Sequence, residues 1–328
     1  MSNLVFSINV TAPIFLMILL GYFLKKIKVI DDNFVKVANK YVFLVALPVM
    51  LFKDIAQTDI IKDISAGFVI FCSSVTILMF LIIWLLSYLL IKDKTQVGAF
   101  AQAGARGSAA VLGVAFVENI CGSAGMAPVM IVAAVPFFNI LSVIILTFSA
   151  DLGKDVKLTG ESKALAKQRR NKNIRKACIN ICKNPIILGI LAGLLFSISG
   201  LEMPKIPSKM INYISNTATP IALLAIGGGF NGKEALNRLK PAACASIVKL
   251  IILPAAFIPV AACFGFGPSE MAAILVMLAS PSTVSCYVMA DNMGNDRVLT
   301  SNTILITTIM SSLTLTGWVY IMRAVGLL

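Results

Sequence analysis

Apolar runs about as long as a bilayer is thick recur along this chain, and short gaps between them hold most of its charge. About 20 apolar residues cross ~30 Å of hydrocarbon at a helical rise of ~1.5 Å per residue. By that measure the pattern predicts an all-α, polytopic membrane protein with ten spans, at 5–24, 35–52, 66–91, 98–117, 127–149, 184–200, 208–229, 241–265, 270–290 and 300–322. The sixth is short. The first apolar run, Val5 to Leu24, has no basic stretch before it and no small-residue cleavage site, and Lys25, Lys26 and Lys28 follow it. It reads as a membrane helix and not as a signal peptide.

The gaps orient the spans, because Lys and Arg in short loops favour the cytoplasm. Lys25, Lys26, Lys28, Lys36, Lys40, Lys92, Lys94, the basic run between Lys154 and Lys183, Lys233, Arg238, Lys240 and Arg297 fall on one side. The other side holds Lys53, Lys62, Lys205, Lys209 and Arg323, while Arg106 and Lys249 fall inside spans. Both termini are therefore expected outside a plasma membrane. The basic 150–183 segment is expected to be a cytoplasmic connector within reach of anionic membrane lipids.

Composition narrows the function. The chain of 328 residues is 58% hydrophobic and 13% charged, with mean hydropathy +0.91, outside the range of soluble domains. Its net charge of +13 is spread over the gaps and not gathered on one face, which argues against a nucleic-acid partner. The chain has no histidine, so the usual base for a serine or cysteine nucleophile is missing. A zinc site at Cys178 and Cys182 lacks further ligands, and the seven cysteines lie mostly in apolar runs, where a thiol behaves as a small hydrophobe. No enzyme, metal or cofactor is expected.

A repeat is also visible. "PIFLMILLGYF" from Pro13 aligns with "PIILGILAGLL" from Pro185, and "VFLVALPVML", with Pro48, with "ISNTATPIAL", with Pro220, both at an offset of 172 residues. "GARGS" around Gly107 lies opposite "LASPS" around Pro281 at an offset of 174. Two five-span repeats follow, 1–149 and 184–328, joined by the connector 150–183. An odd number of spans makes the second copy enter from the opposite side, so the repeats are inverted. Secondary carriers built this way bind substrate near the midplane, between discontinuous helices.

Two spans carry the signs of such a break. In span nine, "LASPSTVSCYVMADN" places Pro281 about eleven residues in, ~16 Å at helical rise, amid Ser280, Ser282, Thr283 and Ser285. Hydrocarbon cannot pair the backbone groups a proline frees, so the break has to line a cavity or be buried in protein. The plain alternative is a kinked packing helix whose hydroxyls bond their own backbone. In span four, Gly104 and Gly107 permit a departure from helix, and Arg106 between them is an intramembrane charge costing from ~3 to over 10 kcal/mol. Arg106 has three readings: an anion site, a partner for carbonyls of the opposing broken helix, or a snorkelling side chain. Lys249 is a candidate counter-charge, or it snorkels too.

The candidate substrate-binding set is Arg106, Gly107, Ser108, Asn139, Ser280, Pro281, Ser282, Thr283 and Ser285, with Gly104, Pro48 and Pro220 as helix breaks or hinges. No acidic residue sits centrally in a span. Asp54, Glu118, Asp291 and Asp296 lie at helix ends, where a solvated interface is their ordinary role, and Glu118 and Asp291 join Lys249 as candidates for coupling or counter-charge. Buried positive charge without buried acid favours an anionic substrate.

At these residues the chain resembles the auxin efflux carrier family, the PIN-like membrane transporters. The resemblance rests on "NKYVFLVALPVMLF", "RGSAAVLGVAF", "NPIILGILAGLLF", "TATPIALLAIGGGF", "VKLIILP" and "ASPSTVSCYVMADNMGND", in this order along nearly the whole chain. It implies ten spans in two inverted repeats, spans four and nine broken and crossing at the substrate site, and an elevator-like motion of a transport domain against a scaffold. It also implies a small organic carboxylate as substrate: malate or malonate in bacterial relatives, auxin in plants. This chain departs from the family in having Gly107 and Ser108 where asparagine or proline is frequent, and in lacking a long hydrophilic central loop. Proton and sodium are the candidate coupling ions, and apolar scaffold faces permit a homodimer. The rival functions are a carrier of amino acids or other zwitterions and a membrane sensor that binds ligand without moving it.

Overall fold

The computed structural model describes residues 2–56, 66–150, 152, 178–201 and 203–328. Most of the 150–183 connector, and residues 57–65 with Lys62, lie outside the described residues. Among the described residues the chain is all helical and has no named strand. In chain order the helices are α1 (Ser2–Lys26), α2 (Asp32–Ala56), α3 (Ala66–Leu90), α4 (Val97–Ala105), α5 (Ala109–Cys121), α6 (Ala127–Ser149), α7 (Pro185–Ser199), α8 (Lys205–Gly228), α9 (Gly232–Asn237), α10 (Leu239–Cys263), α11 (Pro268–Ala279), α12 (Ser285–Asn292) and α13 (Arg297–Ala324).

Five of these, α2, α3, α6, α10 and α13, are long and apolar enough to cross a membrane on length and composition alone. The other expected spans are of three kinds. α1 and α8 have 25 and 24 residues, and α7 is short at 15 residues. Spans four and nine are each split into two half-helices, α4 with α5 and α11 with α12.

Prolines shape α2 and α10. A proline inside a helix lacks its N–H, and its ring crowds the carbonyl four residues back. Both helices respond by widening: π-helical turns at Val42–Ala46 and Val248–Ile252 precede Pro48 and Pro254, and the helix continues through each. The carbonyl freed by Pro254, on Leu250, accepts the Trp318 indole N–H at 2.9 Å. α8 likewise runs uninterrupted through Pro220. The chain therefore does not break at Pro48 or Pro220, because these helices re-form around their prolines.

The helices form two groups. α1, α2, α7 and α8 pack through close backbone approaches at glycine. A Cβ on Gly21 of α1 would come within 2.4 Å of the Leu224 carbonyl oxygen in α8, and one on Gly193 of α7 within 2.9 Å of the Phe52 carbonyl oxygen in α2. Gly21 and Gly193, and Phe52 and Leu224, stand 172 apart, the repeat offset. The second group, α3 to α6 and α10 to α13, surrounds the half-helices. Phe80 of α3 meets Phe138 of α6 with ring centroids 5.9 Å apart, and α11 is buried on all sides from Met271 to Ala279. A helix apolar all round belongs in such an interior.

Candidate functional site: two half-helix pairs and their cavity

The half-helices meet where both chains leave helical geometry. α4 ends at Ala105, and Arg106 is extended at φ −79°, ψ 125°; α11 ends at Ala279, and Ser280 is extended at φ −65°, ψ 150°. Gly107 and Ser282 then form an isolated antiparallel bridge, with the Ser108 N–H donating to the Pro281 carbonyl at 2.9 Å. Side chains complete the tie. The Ser282 hydroxyl donates to the Ala103 carbonyl at 2.6 Å, and the Ser282 N–H donates to the Thr307 hydroxyl of α13 at 3.0 Å. Proline and serines thus make a crossing and not a kink, and the Ser108 amide and both polar groups of Ser282 find partners across it.

Arg106 is 5% exposed. Its guanidinium donates to the Asn139 side-chain oxygen of α6 at 2.6 Å and to the Met289 sulfur of α12 at 2.9 Å, and Asn139 is steadied by donating to the Val135 carbonyl at 2.9 Å. A guanidinium carries five N–H donors, and a thioether is a weak acceptor, so this pairing leaves it able to take an anion. At 5% exposure it does not snorkel, and among the described residues its guanidinium makes no bond to the opposing carbonyls. That second role belongs to Lys249, fully buried on the π turn of α10, whose ammonium donates to the Ala105 carbonyl at 3.0 Å and the Met277 carbonyl at 3.2 Å.

A cavity of about 160 Å³ opens beside the crossing. One wall holds Arg106, Gly107, Ser108, Phe138, Asn139, Thr283, Val284 and Ser285; the other comes from Ile14 of α1, Val42, Leu47, Met50, Leu51 and Asp54 of α2, and Ala218, Thr219 and Ala222 of α8. The cavity therefore lies between the two groups of helices. The starts of α5 and α12 also face it, and neither cap residue, Ser108 or Val284, makes a side-chain capping bond. The first N–H groups of a helix lack intrahelical acceptors, and each helix start carries roughly half a positive charge.

The cavity brings together Arg106, Gly107, Ser108, Asn139, Thr283 and Ser285. Ser280, Pro281 and Ser282 form the crossing but do not line the cavity, and Gly104 lies within α4 against Ala245 of α10. Glu118 is exposed near the end of α5. Asp291 and Asp296 line a different, outer cavity of about 670 Å³, where Asp291 pairs with Arg297 at 3.2 Å and accepts from Asn39 of α2 at 2.7 Å. There Arg238 bridges Asp296 at 2.8 Å and Asp93 at 3.5 Å. The Thr95 hydroxyl first, then Gln96, the Thr95 amide and Arg238, hold the Asp93 carboxyl below its usual range.

Asp54 departs from its expected place at a solvated interface, since it lines the central cavity. Met289 and Thr307 were not singled out from the sequence. Thr307 had a readable signal, because Thr300, Thr303, Thr307 and Ser311 recur at helical spacing and are all buried in α13. Met289 had none. Gly107 also gains a reason: a Cβ there would fall 2.4 Å from the Ser280 hydroxyl and 2.9 Å from the Lys249 ammonium.

A membrane-embedded bundle, interrupted at mid-course by paired half-helices around a small, mainly apolar cavity with a few convergent polar groups, is the build of a multi-pass transporter. The family model described as "Membrane transport protein" matches residues 6–319, and the chain belongs to this family, the auxin efflux carrier family. Among its relatives is a "Putative malonate transporter" of Rhizobium meliloti, 25% identical over 319 residues, covering 95% of this chain and 94% of the relative. An "Uncharacterized transporter" of Methanocaldococcus jannaschii is 24% identical over 327 residues, covering 96% and 98%. Another, of Methanothermobacter thermautotrophicus, is 23% identical over 314 residues, covering 95% and 97%.

Proposed function

We propose that this transporter is a secondary carrier of small organic carboxylates, with malonate-sized dicarboxylates as its first substrates. The carrying observation is the cavity: Arg106 and the starts of α5 and α12 face it together, an electrostatic equivalent of about two positive charges on one wall, set against the single carboxylate of Asp54 on the other. A dicarboxylate brings two negative ones. Size supports the same class, since about 160 Å³ is only some five water volumes and well under the ~300 Å³ where drug-sized sites begin. The name of the Rhizobium meliloti relative agrees.

In this reading ten spans form two inverted repeats, 1–149 and 184–328, with both termini outside the plasma membrane and the 150–183 connector in the cytoplasm. The 172-residue offset shared by the Gly21–Leu224 and Gly193–Phe52 approaches supports the repeat. Alternating access comes from an elevator-like shift of the crossing group past α1, α2, α7 and α8, the boundary along which the cavity lies. Malonate should raise the melting temperature of purified protein and enter proteoliposomes holding it. Arg106→Gln should lose both, and unchanged uptake by that variant rejects the site.

One observation favours a second reading, a carrier of zwitterions such as amino acids. Asp54 lines the cavity on the wall opposite Arg106 and would meet an ammonium group. Amino acids that compete with malonate, or that stabilise the protein where malonate does not, select this reading.

A further inference from the structure

The crossing has a second charged side, away from the carboxylate cavity. α4 and α11 both end there, and a helix end leaves its last carbonyls without intrahelical donors. In α4, the Gln102 carbonyl takes the Arg106 N–H at 2.9 Å, the Ala103 carbonyl takes the Ser282 hydroxyl at 2.6 Å, and the Ala105 carbonyl takes the Lys249 ammonium at 3.0 Å. In α11, the Val276 carbonyl takes the Ser280 N–H at 3.1 Å, and the Met277 carbonyl takes the same ammonium at 3.2 Å. One side chain, from a third helix, thus holds the negative ends of two others.

The charges match. Each helix end contributes about half a negative charge, and the two together balance one ammonium. Among the described residues no carboxylate lies within ion-pair distance of Lys249, so the helix ends are its counter-charge. A further oxygen is at hand. The Ser280 hydroxyl is fully buried and has no hydrogen-bond partner among the described residues, and it lies with the ammonium against the same face of Gly107. Carbonyls of interrupted helices, joined by a hydroxyl, form a hard oxygen set of the kind that coordinates alkali cations in carriers with broken helices.

We propose that Lys249 is the resident cation of the crossing: its ammonium fills the position that a sodium ion would otherwise take between the ends of α4 and α11, and carboxylate transport therefore needs no sodium. The π turn brings the ammonium there, and a glycine at 107 leaves it the space. Lys249 does not line the substrate cavity, so it acts as a positioning residue. Only the transport consequence rests on the carrier reading.

The test is thermal melting of purified protein without substrate, in sodium chloride or N-methylglucamine chloride at equal ionic strength. Wild type should melt at the same temperature in both. Lys249→Ala, which leaves the oxygens facing vacated space, should melt lower and recover several degrees in sodium alone. Lys249→Met fills the space without charge and should show no such recovery, while Lys249→Arg should stay closest to wild type. A wild type that sodium stabilises by several degrees overturns the proposal, and this measurement decides even if neither neutral variant folds. So does a Lys249→Met variant as stable as wild type. Wild-type malonate uptake should be the same with and without sodium, and loss of most of the flux on sodium removal overturns the transport consequence. Because the melting arm contains no carboxylate, a failure there is separate from a failure of the substrate assignment.

Discussion

Arg106 and Lys249 are both buried cations at the same crossing, and their surroundings are opposite. Arg106 faces a cavity at the starts of α5 and α12, held by one amide oxygen and one thioether; Lys249 faces the ends of α4 and α11, held by two backbone carbonyls. The polarity of the helices sets the difference. Where helix starts converge, a cation adds to positive potential and the site wants an anion; where helix ends converge, it cancels negative potential and the site is complete. On the proposed reading, two charges that look alike in the sequence become a ligand-binding group and a structural counter-ion.

The largest way to break this contrast is Lys249→Met. It strands two buried carbonyls and removes two charge-assisted hydrogen bonds, together ~3–5 kcal/mol, and should lower the melting temperature in detergent more than any other single change here. Next, Arg106→Gln should weaken carboxylate binding roughly 100-fold, about 2.7 kcal/mol, while ligand-free melting shifts by only a few degrees; equilibrium binding and melting on one preparation check both. If each substitution cost stability and binding alike, the contrast would fail. Gly107→Ala sharpens it, because a Cβ 2.4 Å from the Ser280 hydroxyl and 2.9 Å from the Lys249 ammonium has to displace one of them, costing about 2 kcal/mol of stability. Smallest is Thr307→Val, which removes the acceptor of the Ser282 N–H and should cost about 1 kcal/mol in a denaturant or thermal series.

The two breaks were legible because Gly104, Gly107 and Pro281 are strong local punctuation and Arg106 is a strong local anomaly. Long helices such as α3 and α6 were legible by length, and the family resemblance was carried by motifs spread over the chain. Pro48 and Pro220 misled, since whether a proline breaks a helix depends on what re-pairs the carbonyls around it. Lys249 was visible as a charge, but its direction was not. Its register depends on a π turn, and its stem is long enough to point inward or out. The place of Asp54 in the cavity and the bond from Arg106 to Met289 are tertiary facts, set by which helices pack together and not by any local pattern.

The antiparallel bridge between Gly107 and Ser282 has a mechanical consequence. Stitched by the Ser108 amide, the Ser282 hydroxyl and the Lys249 ammonium, the four half-helices form a single welded joint that cannot part without exposing its seams to hydrocarbon. In the proposed elevator-like carrier, cargo held beside such a joint would travel with it. The sliding seam of that carrier would then fall on the aliphatic face that Val42, Leu47, Met50 and Leu51 present from α2, and the bond from Asn39 to Asp291 would become a latch to be released at each stroke.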